Sequence, residues 1–215
     1  MHMKIKKIIS ALAIACAFSG VFTNSAIAAP AIVSFDAGTT FVSYSSDETI
    51  GFVFDTNANL SVSQLGWFST DGSIASSHQI GIWNSTGTLL GSTTVTPGAP
   101  DGSGFRYSSV VPILLSSGST YFIGGRDTSQ DGDSYKSSVS NLITSSDITY
   151  VGSAVSSSGA GFTFPSFINQ TSTGGRFGPN FTYDVMSAVP EPESYAMLLA
   201  GLGLMGFMVR RRKTS

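Results

Sequence analysis

The sequence predicts an all-β protein, an antiparallel β-sandwich of jelly-roll or immunoglobulin-like type, flanked by an N-terminal signal helix and a C-terminal transmembrane helix. Three observations carry that prediction. Between its ends the chain is rich in Ser, Thr and Gly and poor in Lys, Glu and Ala, which disfavours helices and suits short strands. Apolar residues recur at every second position over short stretches, the pattern of strands with one buried face. Turn formers such as Asp71-Gly72 and Asn84-Ser85-Thr86-Gly87 punctuate those stretches, and two packed antiparallel sheets follow from the spacing. Trp67, Trp83 and the repeated Phe and Ile positions supply more apolar material than a disordered Ser/Thr-rich chain carries.

The first element is an export leader. Lys4, Lys6 and Lys7 precede an apolar stretch from Ile8 to Val21, and Ala26-Ile27-Ala28 offers small residues where a signal peptidase cuts. Residues 1–28 are read as a signal peptide, leaving Ala29 as the new terminus. Cys16, the chain's one cysteine, fills the apolar leader. The mature part therefore has no disulfide, and its core must hold itself together.

Strands follow in order. Ile50, Phe52 and Phe54 alternate with Gly51 and Val53 in a strand from about Thr49 to Asp55, with Phe52 and Phe54 facing the core. Leu60 to Phe68 alternates at first and then turns apolar on both sides, like a strand leaving a half-exposed sheet for a buried one. His78 to Val95 is a hairpin whose turn places Gly87 at positive φ. An exposed, mobile link over residues 96–104 leads to a strand from Phe105 to Val111. Tyr121 enters the next strand shortly after Gly118, where its hydroxyl can return to upstream backbone as in a tyrosine corner. Residues 127–146 read as a long polar surface insertion. Thr149 to Val155 forms another strand, Phe162, Phe164 and Phe167 around Pro165 form an edge or a covering loop, and the last strand runs from Arg176 to Val185.

The chain then changes character. Tyr195 to Val209 is an uncharged apolar run, about 22 Å long as a helix and short of the roughly 30 Å of a bilayer core. Arg210, Arg211, Arg212 and Lys213 stop it, on the side that the positive-inside rule assigns to the cytoplasm. Val189-Pro190-Glu191-Pro192, the apolar run and the cationic end together resemble the PEP-CTERM sorting tail of Gram-negative bacteria that make extracellular polysaccharide. The resemblance implies recognition by an exosortase, a membrane-embedded cysteine transpeptidase-like enzyme, and removal of the tail near the Pro-Glu-Pro motif. It implies a transient stay in the inner membrane, then the cell surface or extracellular matrix. The two prolines fix φ and forbid regular hydrogen bonding, which keeps the scissile region extended. From Ile50 to Val185, the series of hairpin, long link, Gly-x-x-Tyr strand and closing Gly-Pro-Asn-Phe strand is similar to an uncharacterised extracytoplasmic sandwich module found upstream of such tails. That second resemblance implies no catalytic residues. The domains are thus 1–28, 29–188 and 189–215.

Charge narrows the partners. Residues 29–188 hold eleven acids against Arg106, Arg126, Lys136 and Arg176, a net charge near −7 that the basic ends reduce to −2 for the whole chain. Nucleic acids and anionic membrane surfaces are bound through clustered Lys and Arg, so neither is expected as a partner.

Chemistry is sparse. His78 is the single histidine of the mature part; it reads as a surface or edge residue, and no nucleophile elbow, zinc-protease or phosphate-loop motif accompanies it. Glu48 reads as a solvated charge, and nothing in the sequence places two carboxylates together for glycoside hydrolysis. Asp127, Ser129, Asp131 and Asp133 alternate around Gly132 as in a calcium loop, but Ser138 stands where the bidentate Glu belongs. Ca²⁺ is the only cofactor the sequence suggests. Trp67, Trp83, Tyr107 and Tyr135 are candidates for a sugar-stacking platform; Trp83 lies opposite Ile80 and Ile82 in the alternation and is the best candidate for an exposed ring. The sequence predicts an exported, exosortase-processed surface or matrix protein, not an enzyme, with a structural or adhesive role in exopolysaccharide or biofilm. A carbohydrate-binding module, with or without Ca²⁺, is the second reading. A secreted carboxylate-dependent hydrolase is the third.

Overall fold

A computed structural model describes residues 28–36, 38–42, 47–129, 131–169, 175–186 and 196–205. The leader, the sorting motif Val189 to Pro192 and the basic end Arg210 to Lys213 lie outside them. The described chain is mostly β, and its paired strands are antiparallel.

The alternating stretches become strands close to where the pattern puts them: β4 Glu48–Thr56, β5 Leu60–Phe68, β6 His78–Asn84, β7 Leu89–Val95, β8 Phe105–Leu115, β9 Thr120–Asp127, β12 Ile148–Val155 and β14 Pro179–Val185. Short strands complete the set: β1 Ala29–Pro30, β2 Ile32–Ser34, β3 Thr39–Val42, β10 Ser134–Ser137, β11 Ile143–Thr144 and β13 Phe167–Asn169. One sheet has the order β13-β12-β4-β9-β6-β7 and another the order β1-β14-β5-β8. The pairs β6·β7, β5·β8 and β4·β9 are nested in sequence and alternate between the two sheets. This arrangement is consistent with a β-sandwich.

The two sheets meet through aromatic rings. Phe54 of β4 packs on Phe181 of β14 with centroids 4.9 Å apart, and Trp67 of β5 stacks on His78 of β6 at 4.0 Å and 4°. Ile50, Phe52, Phe54, Leu65, Trp67 and Phe181 are all fully buried, which puts the expected face of β4 inside. Each such side chain contributes about 1.5–3 kcal/mol by leaving water. Tyr121 makes the expected corner: its hydroxyl accepts a hydrogen bond from the Ser116 backbone amide at 2.9 Å. Gly87 turns the β6–β7 hairpin at φ +84°, where a residue with a Cβ would be strained.

The outer face of the larger sheet is also buried, and a row of small residues explains how. Ala154, Gly51, Gly124 and Gly81 stand side by side across β12, β4, β9 and β6. Such a row makes the sheet shallow, which lets another segment approach closely. Residues 156–166 lie over it: a Cβ on Gly81 would meet Phe162 at 2.9 Å, and one on Gly124 would meet Pro165 at 3.3 Å. Val53, Trp83, Phe122 and Ala154 form a second apolar cluster beneath Phe162 and Phe164. The Phe-rich stretch around Pro165 is thus a covering loop, one of the two roles its composition suggested.

Three expectations need correcting. Residues 127–146 are no loose insertion: β10 pairs with β3, β11 pairs with β2, and Val139 is buried. Strands too short to show alternation escaped the periodicity test. The changed pattern in β5 is a register shift against β8 between Val62 and Gln64; a bulge flips which side chains face inward without moving the strand to another sheet. Residues 96–104 are mostly exposed, as expected, but they are tied down by an Ile74–Gly98 bridge and by Arg106, which donates to the carbonyls of Thr96 and Ala99. At the C-terminal end, residues 196–205 form a helix. Residues 195 and 206–209 of the expected helix lie outside the described residues, and among the described residues no helix is long and apolar enough to cross a membrane.

Candidate functional site

A cleft of about 330 Å³ opens where the β3–β10 pair meets the β12–β13 edge. One wall comes from the pairing of Phe41 with Tyr135, whose rings stack at 5.7 Å and 12°. Tyr135 is buried, whereas Phe41 is 38% exposed. The opposite wall is β13, with Phe167 and Ile168 exposed and Asn169 beside them. Ser137 and Ser153 contribute hydroxyls. Backbone bonds between Lys136 and Phe177 dock β10 on the segment leading into β14, which brings Arg176 to the cleft.

Arg176 organises the polar end. Its Nη1 donates to the Tyr135 hydroxyl at 3.2 Å and to Glu48 Oε1 at 3.3 Å, and its guanidinium carbon lies 5.9 Å from the Tyr135 ring centre. Glu48 is therefore an ion-pair partner with a side chain only 17% exposed, not the solvated charge its polar sequence context suggested. Burial pushes the Tyr135 hydroxyl above its ordinary pKa; Arg176 opposes that, while the negative charges of Asp127 and Glu48 add to it. The phenol stays neutral in the physiological range. The register sets Glu48 of β4 opposite Asp127 of β9, a proximity invisible in the sequence. Asp127 is 1% exposed and does not line the cleft.

The four residues of the calcium-like series have separate tasks where they are described in contact. Asp133 accepts from the backbone amides of Ala75 and Ser76 at 2.8 and 2.9 Å, and lies 2.9 Å from His78 Nε2. Asp131 accepts from the amides of Thr128 and Asp133 at 2.7 and 3.0 Å, closing the turn locally. Ser129 is on that turn, and Asp127 ends β9. Among the described residues no three His, Cys, Asp or Glu side chains are grouped to hold a metal ion.

His78 sits at the centre of the other polar cluster. Its side chain is 1% exposed, not at the surface or an edge, because β6 lies between β7 and β9. Both ring nitrogens face oxygen, Nδ1 the Arg126 carbonyl at 3.0 Å and Nε2 Asp133, and Trp67 covers the ring. This is a buried structural contact, closed to substrate.

Three of the four platform aromatics are likewise committed elsewhere. Trp67 is fully buried; Tyr107 accepts a hydrogen bond from Asn180 Nδ2 at 3.0 Å. Trp83 does face the second side of its sheet, as the alternation required, but it is 3% exposed beneath the covering loop. The exposed ring expected there is absent because Phe162 packs on it at 5.1 Å. Tyr135 alone of the four lines the cleft. Phe41 was missed, since the short β3 carries no legible alternation.

Comparison with known families places two segments. Residues 188–213 match the PEP-CTERM protein-sorting motif, which implies an exosortase as processing partner and an exported, membrane-transiting protein of the cell surface. No curated protein matches the chain. Residues 34–175, from β2 to the residue before Arg176, match the family described as Domain of unknown function (DUF4082), and the chain belongs to that family.

Proposed function

We propose that this protein is a non-catalytic, exosortase-sorted component of the extracellular matrix, whose β-domain has a structural or adhesive role in exopolysaccharide. One observation carries the reading: the sorting motif at 188–213 follows directly on β14, which ends at Val185. The tail is thus joined to the folded domain by almost no linker, and removal of the tail would release that domain whole. The domain's own chemistry fits a binding or scaffolding part. Its histidine is buried against Asp133, its Asp127 is buried, and its Glu48 is neutralised by Arg176. The nested strand pairs suit a jelly-roll, in which a long hairpin rolls across two sheets. Removal of residues 1–28 as an export leader and sorting at Val189 to Pro192 complete the reading.

The test is the matrix itself. A strain lacking this chain is expected to form a less cohesive polysaccharide matrix, restored by the full chain but not by a chain lacking residues 189–215. Normal matrix cohesion in the deletion strain would contradict the structural role.

A further inference from the structure

We infer that the cleft between Phe41 and Asn169 binds a short segment of neutral polysaccharide. This rests on the matrix reading above and gives it a site. A pyranose ring has an apolar C–H face and a rim of hydroxyls that both donate and accept, and the cleft presents the complement of each. Tyr135 covers one face of Phe41, and the remainder of that ring is exposed toward the cleft. Stacking on such a ring holds a flat apolar face. Across from it Asn169 and its strand partner Ser153 supply uncharged groups that donate and accept. Small-molecule sites have this make-up, mostly apolar walls with a few placed polar groups.

Charge decides between classes of ligand. Among the residues that line the cleft Arg176 is the one cation, and it is paired with Glu48; Arg126 is paired with Asp47, while Arg106 and Lys136 keep their charge but do not line the cleft. With a net charge near −7 around it, the cleft offers an acidic polymer no uncompensated positive partner and a repelling field. A purely apolar ligand fits no better, because it would desolvate Asn169 and the serines without replacing their bonds to water. The volume of about 330 Å³ is at the lower end of the roughly 300–1,000 Å³ of small-molecule sites, suited to a short stretch of chain.

Affinity electrophoresis of the full chain, solubilised in mild detergent, through gels containing dextran, galactomannan or alginate tests the assignment. Retardation by at least one of the two neutral polymers is expected, with none by alginate. Phe41→Ala and Asn169→Ala should each weaken it about tenfold, equivalent to about 1.4 kcal/mol. Val111→Ala, at a residue 84% exposed and outside the cleft, should leave it unchanged. Both Phe41 and Asn169 are exposed, and thermal unfolding of each variant separates lost binding from lost fold; if Phe41→Ala unfolds, Asn169→Ala decides. No retardation in any gel, retardation by alginate alone, or wild-type retardation of the folded cleft variants would overturn the site. None of these outcomes touches sorting, which is read from the processed mass.

Discussion

Asp133 shows how a residue that reads as a metal ligand serves the fold. Its carboxylate accepts from two part-buried backbone amides and faces the imidazole of His78, and carboxylate and imidazole are both shut away from water. Removing one member of such a buried cluster leaves the others unsatisfied, which is costlier than the net value of the bonds. Asp133→Ala is therefore expected to destabilise the domain by about 3 kcal/mol, with Asp133→Asn less harmful because it keeps one acceptor oxygen. Urea unfolding checks this: the midpoint should fall in that order, and a midpoint unchanged in Asp133→Ala would show the cluster to be dispensable. The sequence displays the acidic alternation of residues 127–133 but not the direction of each carboxylate, which depends on where residues 74–78 come to lie. Chain neighbours gave the local turn; only the fold supplied Ala75, Ser76 and His78.

Strands long enough to alternate were legible, and what covers them was not. The β6–β7 hairpin runs from His78 to Asn84 and from Leu89 to Val95, where Ile80, Ile82 and the Asn84 to Gly87 turn put it. The same alternation placed Trp83 on the opposite face, correctly, and yet could not tell solvent from a protein lid. The glycines at 51, 81 and 124 were the available signal, since Gly in a strand interior marks close approach of something else. They line up only once the register is known. The cleft was less legible still: β3 and β13 are four and three residues long, too short for a period of two to show, so Phe41 and Asn169 carried no mark. If residues 156–166 hold the outer face shut, Phe162→Ala should cost about 2 kcal/mol, below the roughly 3–5 kcal/mol of a fully buried Phe because this ring is half-buried. The fluorescence of Trp83 should also shift to the red as water reaches it. An unshifted spectrum in a correctly folded variant would mean that the loop does not shield the ring.

At the scale of the whole molecule, three parts divide the labour by chemistry. We propose that an apolar leader with lysines before it directs export and that the cation-poor β-domain faces the outside, while the Pro-Glu-Pro stretch with its apolar run and arginines supplies the address. The acidic middle and basic ends are two different charge regimes that the whole-chain value of −2 averages away. The match over residues 188–213 makes sorting the property of this chain that is best established, and the closeness of β14 to the motif makes the β-domain the part that sorting delivers. Intact mass spectrometry of the protein recovered from matrix and from membranes, in a host with its exosortase and in one without, tests that claim directly. The account predicts a matrix form beginning near Ala29 and ending near Pro190-Glu191-Pro192 that is present only with the enzyme. A full-length C-terminus retaining Arg210 to Ser215 in the membranes of both hosts would contradict it.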